Sequence, residues 1–387
     1  MCSWPSAYGV YLGDLDRRRT DSQGIISYSL ALTRALSCVL EPFERLVVFC
    51  SSTVRDELGD LSSPGCVEVV PVAPLRGAIQ QVQRDQFGVV RLIARSGVDV
   101  IHFPKGRAPW RSLALTKVVA TIHDDIPMQY RAGRFGPRWR DLKSAYVVAN
   151  LRRTLGRADT ILTDSHFACR QLENDRKRRS AIKVVVPGLT IGDRRPTNAT
   201  PRAPRLVVFD SPFEHKRTDE AAGFALRYIV EHGLADHKVL LLGSGRASVI
   251  RDRFPDRFEN EPSAAAPHRV DELVRSSRAV SVASRYEGLG LPALEAWARG
   301  TPAVVADCEA AKELLRDVPG IYRGGDYSSF AASLDNVLAL DQVDYDKWSR
   351  VVNARCDWDR AAREVLAVYR ELAGPGDVQL RDRELLV

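Results

Sequence analysis

Residues 284–307 read SRYEGLGLPALEAWARGTPAVVAD, and this stretch decides the fold. The apolar run 279–283 just before it predicts a buried strand. A turn carrying Glu287, Gly288 and Gly290 follows, then Pro292 and a helical pattern through Leu294, Glu295, Ala296 and Ala298. Gly300 ends the helix, because glycine tolerates the left-handed conformation common just past a C-terminus. Residues 303–306 then predict a second buried strand. Strand, glycine loop, helix and strand make one parallel crossover.

The chemistry of that unit lies where its helix begins. Open N–H groups and the positive end of the helix dipole favour an anion, typically a phosphate. Gly288 and Gly290 let a ligand approach the backbone, and Pro292 suits a first turn. Glu287 and Glu295 are acceptor-only carboxylates that a phosphate would repel, so they suit hydroxyl donors such as ribose or sugar OH groups. The pattern reads as hydroxyl, diphosphate, hydroxyl. A helix with an acidic first turn that merely favours the dipole is the plainer alternative.

The string EGLGLPALEAWARGTPAVVA closely resembles the signature of retaining glycosyltransferase family 4, EGFGLPxLEAmAxGtPVva, and both glutamates match with seven residues between them. The resemblance implies that Glu295 binds the nucleotide ribose and Glu287 the donor-sugar hydroxyls. The amides around Leu289, Gly290 and Leu291 would face the sugar and diphosphate. Other strings are similar to the same family. VVATIHDDIP at 118–127 resembles VVvTiHDliP and brings in His123 near the donor sugar and acceptor. DTILTDS at 159–165 resembles ADxIiTvSxfs, with Ser165 as a helix N-cap. The loop ending His215-Lys216-Arg217 resembles HKN, so Lys216 carries over as a diphosphate ligand and Arg217 as a substitute second cation. Gly243 and Gly245 match a GxG turn lining the donor site. Gly24 stands for the second glycine of GGigrY, with Gln23 in place of the first. Asp210 stands near the place of a usual arginine.

The implied fold is α/β and GT-B: two doubly wound Rossmann-like domains facing a central cleft. The expected parts are an acceptor domain 1–188, a linker 189–204, a nucleotide-sugar domain 205–356, a helix 357–373 crossing back to the first domain, and a tail 374–387. The implied activity is retaining transfer of a sugar from a nucleotide-diphosphate sugar to a hydroxyl acceptor. His123, Glu287 and Lys216 form the catalytic set. No cofactor and no metal are expected, since no Asp-x-Asp motif stands out to hold a divalent ion. His102, Asp124 and Asp125 are the candidates on the acceptor side. Asp125, with Asp14 and Asp16, would suit a cationic acceptor, and solvated loop carboxylates are the plainer alternative.

Composition sets the outer bounds. The chain has 387 residues, 45% hydrophobic and 27% charged, which is ordinary globular composition with length for two domains. The first residues lack a basic-then-apolar leader pattern, and no apolar run is long enough to span a bilayer. Seven scattered cysteines without metal-ligand spacing read as reduced thiols, which suits a cytoplasmic protein. The net charge of +7 could serve nucleic acid or an anionic membrane, but no nucleic-acid module is recognisable and none is expected as partner. Residues 131–157 pattern as one basic amphipathic helix that could touch membrane headgroups, and a solvated helix face is the plainer alternative. Two alternatives stay open: an impaired protein that only binds a nucleotide sugar, and a basic surface protein for membrane or nucleic acid.

Overall fold

The computed structural model describes residues 6–15, 23–73, 83–113, 115–136, 142–175, 179–190, 202–262 and 266–374. Asp16, Arg138, Arg140, most of the expected linker and nearly all of the expected tail lie outside these. The chain divides into two compact units. One comprises Met1–Arg131, Trp139–Gly188 and Asp357–Val387; the other comprises Ala132–Arg138 and Leu189–Cys356. The short segment from Ala132 thus groups with the second unit, although it falls inside the span 1–188 expected for the first.

The first unit holds a seven-stranded sheet: β1 Ser6–Tyr11, β2 Glu44–Cys50, β3 Cys66–Pro71, β4 Val100–Phe103, β5 Lys117–Thr121, β6 Thr160–Thr163 and β7 Ala181–Val184. Its order is β3-β2-β1-β4-β5-β6-β7, and every pairing is parallel. Parallel strands are covered on both faces, which explains why they read as unbroken apolar runs. Alternate side chains supply two cores. Tyr8, Val10, Leu46, Val48 and Val100 pack with the helices Gln23–Val39 and Trp358–Ala373. Ala7, Tyr11, Val47, Phe49 and Ile101 pack on the other face with Val148, Leu151 and Leu172. Arg370 closes the arrangement by a two-pronged ion pair to Glu44, 2.8 and 2.9 Å, on a carboxylate only 2% exposed.

The second unit repeats the plan with β8 Ala203–Asp210, β9 Lys238–Gly243, β10 Phe258–Glu261, β11 Ser277–Val282, β12 Ala303–Ala306 and β13 Ile321–Tyr322. The order β10-β9-β8-β11-β12-β13 is again parallel throughout and doubly wound. β8 begins at Ala203, so two residues assigned to the linker are strand. The crossover read from the sequence is present: β11, the helix Leu291–Ala298, Gly300 at φ +76° and β12.

Residues 131–157 are not one helix. Arg131 ends a helix that begins at Ile126, Gly133 and Gly136 take φ of +81° and +110°, and a separate helix spans Leu142–Leu155. Two left-handed glycines in one turn break the continuous pattern that the arginines suggested. Arg152 pairs with Asp175, while Arg153 and Arg157 both donate to the Trp110 carbonyl. Among the described residues, no helix is long and apolar enough to cross a membrane.

Candidate functional site

In each doubly wound sheet the chain reverses direction beside the central strand, and the loops after the two strands there leave room for a ligand. In the second unit that point lies between β8 and β11. The loop after β8 carries a tight turn, Glu214–Lys216, then Arg217 at φ +47° and the helix Thr218–Glu231. The loop after β11 carries Arg285 to Gly290. The two are laced together: Arg285 N donates to the His215 carbonyl at 2.9 Å, and Lys216 Nζ donates to both Glu287 oxygens at 2.7 and 2.6 Å. Glu287 is 6% exposed. Burial opposes its ionisation, but the Lys216 ammonium outweighs that and holds the carboxyl below the usual carboxylate range. His215 is pushed down to about 4 by burial and by the neighbouring Lys216, so it is neutral at neutral pH.

The helix that follows starts at Leu291 with Gly290 in the left-handed region, φ +88°, and a Cβ there would meet open space. Ala293 N and Leu294 N donate to the Gly290 carbonyl, at 3.2 and 3.5 Å, and Pro292 brings no N–H. Leu289 is buried beneath the turn. Glu295 lies one turn in, and Arg299 Nη1 donates to it at 3.2 Å. Arg299 is itself buried and donates through Nε to Asp271 at 2.6 Å, which also accepts from Arg275. Burial raises the Glu295 carboxyl above its ordinary range, and Arg299 offsets this only in part. The far end of the helix is fixed by Ser349 Oγ and Asn353 Nδ2, both donating to the Ala298 carbonyl.

Asp210 is an anchor rather than a stand-in for a cation. Its carboxylate accepts from Gly245 N at 2.6 Å, Ala247 N at 3.0 Å and Thr218 Oγ1 at 2.9 Å. The Gly245 amide is thereby committed internally. A Cβ there would stand 2.3 Å from the Ser211 carbonyl carbon, so close packing explains the glycine. Gly243, at φ +116°, turns the chain out of β9. Arg217 pairs with Glu220 and lies against Gly324 and Gly325.

In the first unit the reversal lies between β1 and β4. Gly24 sits in the first turn of the helix Gln23–Val39. Asp14, 7% exposed, is met by Lys105 and Arg107, each 3.9 Å from Oδ2, and Lys105 also donates to the Asp14 carbonyl. Asp14 is thus met by two cations, and Asp16 lies outside the described residues. Asp125 is buried, with Gln129 bonded to its carboxylate, while Asp124 caps the turn by accepting from Ile126 N.

His102 is a correction to the acceptor-side reading. It is wholly buried, because alternation along β4 puts it on the face covered by the helix Trp358–Ala373. Its ring bridges Tyr369 OH at 2.6 Å and Thr121 Oγ1 at 2.8 Å. Burial drives it down to about 3, so it is a neutral core residue and not an acceptor ligand. His123, beyond the end of β5, is partly exposed. Nδ1 lies 2.6 Å from Asp164 Oδ2 and Nε2 3.0 Å from the Pro104 carbonyl, with Tyr28 edge-on to the ring at 4.6 Å.

Each unit contains a stretch that matches a family profile. The profile described as "Glycosyltransferase Family 4" matches residues 43–191, and that described as "Glycosyl transferases group 1" matches 263–354. A D-inositol 3-phosphate glycosyltransferase of Xylanimonas cellulosilytica is 28% identical over 94% of this chain and 95% of its own. A phosphatidyl-myo-inositol mannosyltransferase of Mycolicibacterium smegmatis is 23% identical over 80% of this chain and 81% of its own. Among solved structures, sucrose-phosphate synthase from Thermosynechococcus elongatus is similar with a TM-score of 0.66 at 16% identity, covering 95% of this chain and 99% of its own. With two parallel doubly wound units of the GT-B type and both family profiles matched, the chain belongs to the family 4, group 1 glycosyltransferases, which move a sugar from a nucleotide-sugar donor.

Proposed function

We propose that the protein is a retaining, metal-independent glycosyltransferase whose donor binds the second unit at the β8–β11 reversal. The observation that carries this reading is the Lys216–Glu287 pair beside the open helix start at Gly290. A diphosphate arriving there draws Lys216 onto its oxygens, with the helix-start amides as further donors. Glu287 is thereby released to accept from hydroxyls of the sugar, and Glu295 takes the ribose. The acceptor oxygen attacks the anomeric carbon on the face from which the diphosphate departs. The carbon–oxygen bond to phosphate breaks as the new one forms, and the departing phosphate oxygen takes the acceptor's proton. Configuration is retained without a carboxylate nucleophile.

For the acceptor we propose a hydroxyl of a phosphorylated polyol. The names of the two relatives share a phosphorylated inositol, and Lys105 and Arg107 stand together with Asp14 at the β1–β4 reversal. An additional contact with anionic lipid is proposed at the exposed rings of Phe87 and Trp110, each beneath a guanidinium, Arg111 and Arg153. Equal sedimentation with neutral and anionic vesicles would exclude that contact.

A thermal-shift panel of UDP, GDP, dTDP and ADP tests the donor site. One nucleotide is expected to stabilise the wild type by about 2.7 kcal/mol at a hundred times its Kd, and Glu295→Ala hardly at all. Turnover of its sugar ester in the presence of EDTA, with the product anomer read by NMR, tests the rest. An inverted product or loss of rate with EDTA sinks the mechanism.

A further inference from the structure

Asp164 follows β6, and nothing above assigns it a part in the reaction. The register brings it to His123: Thr121 pairs with Leu162 across β5 and β6, and Ile122 N still donates to the Leu162 carbonyl at 2.9 Å. Two residues on, His123 and Asp164 stand side by side past the ends of adjacent strands. The family pattern ADxIiTvSxfs has an apolar residue at this place, whereas this chain reads TDS, so the carboxylate is a departure that calls for its own account.

Both ring nitrogens of His123 face groups that accept. Nδ1 meets the Asp164 carboxylate and Nε2 the Pro104 carbonyl, which can only accept. A neutral imidazole has one N–H and cannot serve both. Asp164 is 6% exposed, and its other oxygen, Oδ1, has no hydrogen-bond donor among the described residues. A buried carboxylate with one partner favours a charged partner. The remaining groups around the ring do not reverse this. Asp124 adds to the negative field, buried His102 from β4 is neutral, and Tyr28 contributes its ring. Lys105 and Arg107, on the loop after β4, are turned onto Asp14. Burial lowers the basicity of His123, but the Asp164 charge and hydrogen bond outweigh it and hold the imidazole above its ordinary value.

We propose that Asp164 is a positioning residue that fixes His123 as an imidazolium, so that His123 meets the substrate as a fixed charge and N–H donor and takes no proton during transfer. The proposal rests on the reading that His123 stands beside the reacting sugar. Of its two bonds, the one to the neutral Pro104 carbonyl is the weaker. Nε2–H is therefore the donor that an incoming phosphate or hydroxyl oxygen can share with or take over from that carbonyl, while Asp164 keeps the ring in place.

Histidine-labelled protein titrated by NMR, with His123 assigned through His123→Gln, tests the pair apart from activity. In the wild type His123 is expected to titrate above the ordinary value of about 6.5, and in Asp164→Asn below it. The alkaline limb of kcat/KM should move down by at least about one pH unit in Asp164→Asn, with activity regained on acidification. A purely structural role for Asp164 would lower activity without that recovery. A wild-type His123 that titrates at or below the ordinary value overturns the dyad, whether or not the variant folds. A shifted titration with an unmoved pH profile leaves the pair intact and overturns the role of His123 in transfer.

Discussion

Replacing Lys216 by methionine keeps the length of its stem and removes its charge, leaving Glu287 buried at 6% exposure beside an apolar chain. Removing one partner of a buried ion pair costs about 3–5 kcal/mol, and the lower end applies because the Lys216 side chain is 28% exposed. At roughly 2–4 °C per kcal/mol for a unit of this size, about 3 kcal/mol lowers the melting midpoint by about 6–12 °C. The loss depends on pH in a defined sense. In the wild type the folded carboxyl lies below its unfolded value of about 4.3, so its stabilisation is complete above that value and vanishes as pH falls through the folded one. In Lys216→Met the strongest opposing charge is gone, leaving His215 and a Ser284 hydrogen bond against burial, so the folded value rises above the unfolded one and the penalty grows as pH rises. The gap between the two proteins should be widest near pH ~8, narrow towards pH ~4 and close only as pH falls further through the folded value, and Glu287→Gln added to Lys216→Met should close much of it at pH ~8. Melts of the three proteins over that range are the assay. Curves for Lys216→Met and wild type that stay parallel at every pH would refute the coupling.

Two further outcomes follow from buried carboxylates. Asp210→Ala strands two backbone amides and the Thr218 hydroxyl, and should cost about 3 kcal/mol in urea unfolding; an unchanged midpoint would show that the carboxylate is not the anchor of the loop after β9. Arg370→Gln leaves the Glu44 carboxylate with Tyr8 OH and Glu41 N as donors, and should cost about 3 kcal/mol. Hydrogen exchange in the helix Trp358–Ala373 should accelerate ahead of exchange in β8–β13.

Much of this was legible in the sequence, and where it was not the reasons are physical. The stretch 284–307 announced itself because a loop, a helix and two strands lie within one crossover, so local pattern and tertiary role coincide. His123 was found at a strand end by its motif. Its partner was not, because Asp164 lies on another strand and only the register β5–β6 joins them; the signal was TIHD and LTDS ending adjacent parallel strands. His102 misled because a histidine near a strand end reads as a ligand, whereas period-two alternation sends this one into the core. Around Asp125 and Asp14, composition shows the carboxylates and not the Gln129, Lys105 and Arg107 that meet them. Arg299, which steadies Glu295, was hidden in plain view within the motif. Its importance comes from Asp271, which a linear reading places far away.

The helix Trp358–Ala373 lends Ala361, Ala362, Val365, Leu366 and Tyr369 to the core of the first unit, yet it is separated from the rest of that unit by the whole of the second. Chains emerge from the ribosome N-terminus first. The first sheet must therefore wait, one flank bare over Tyr8, Val10, Leu46 and Val48, while the second unit is synthesised. The second unit is contiguous but for one short segment already made, so it can close first. Its completion delivers the missing flank to the older half, and a nascent chain arrested before residue 358 should expose apolar surface to chaperones in the first unit alone.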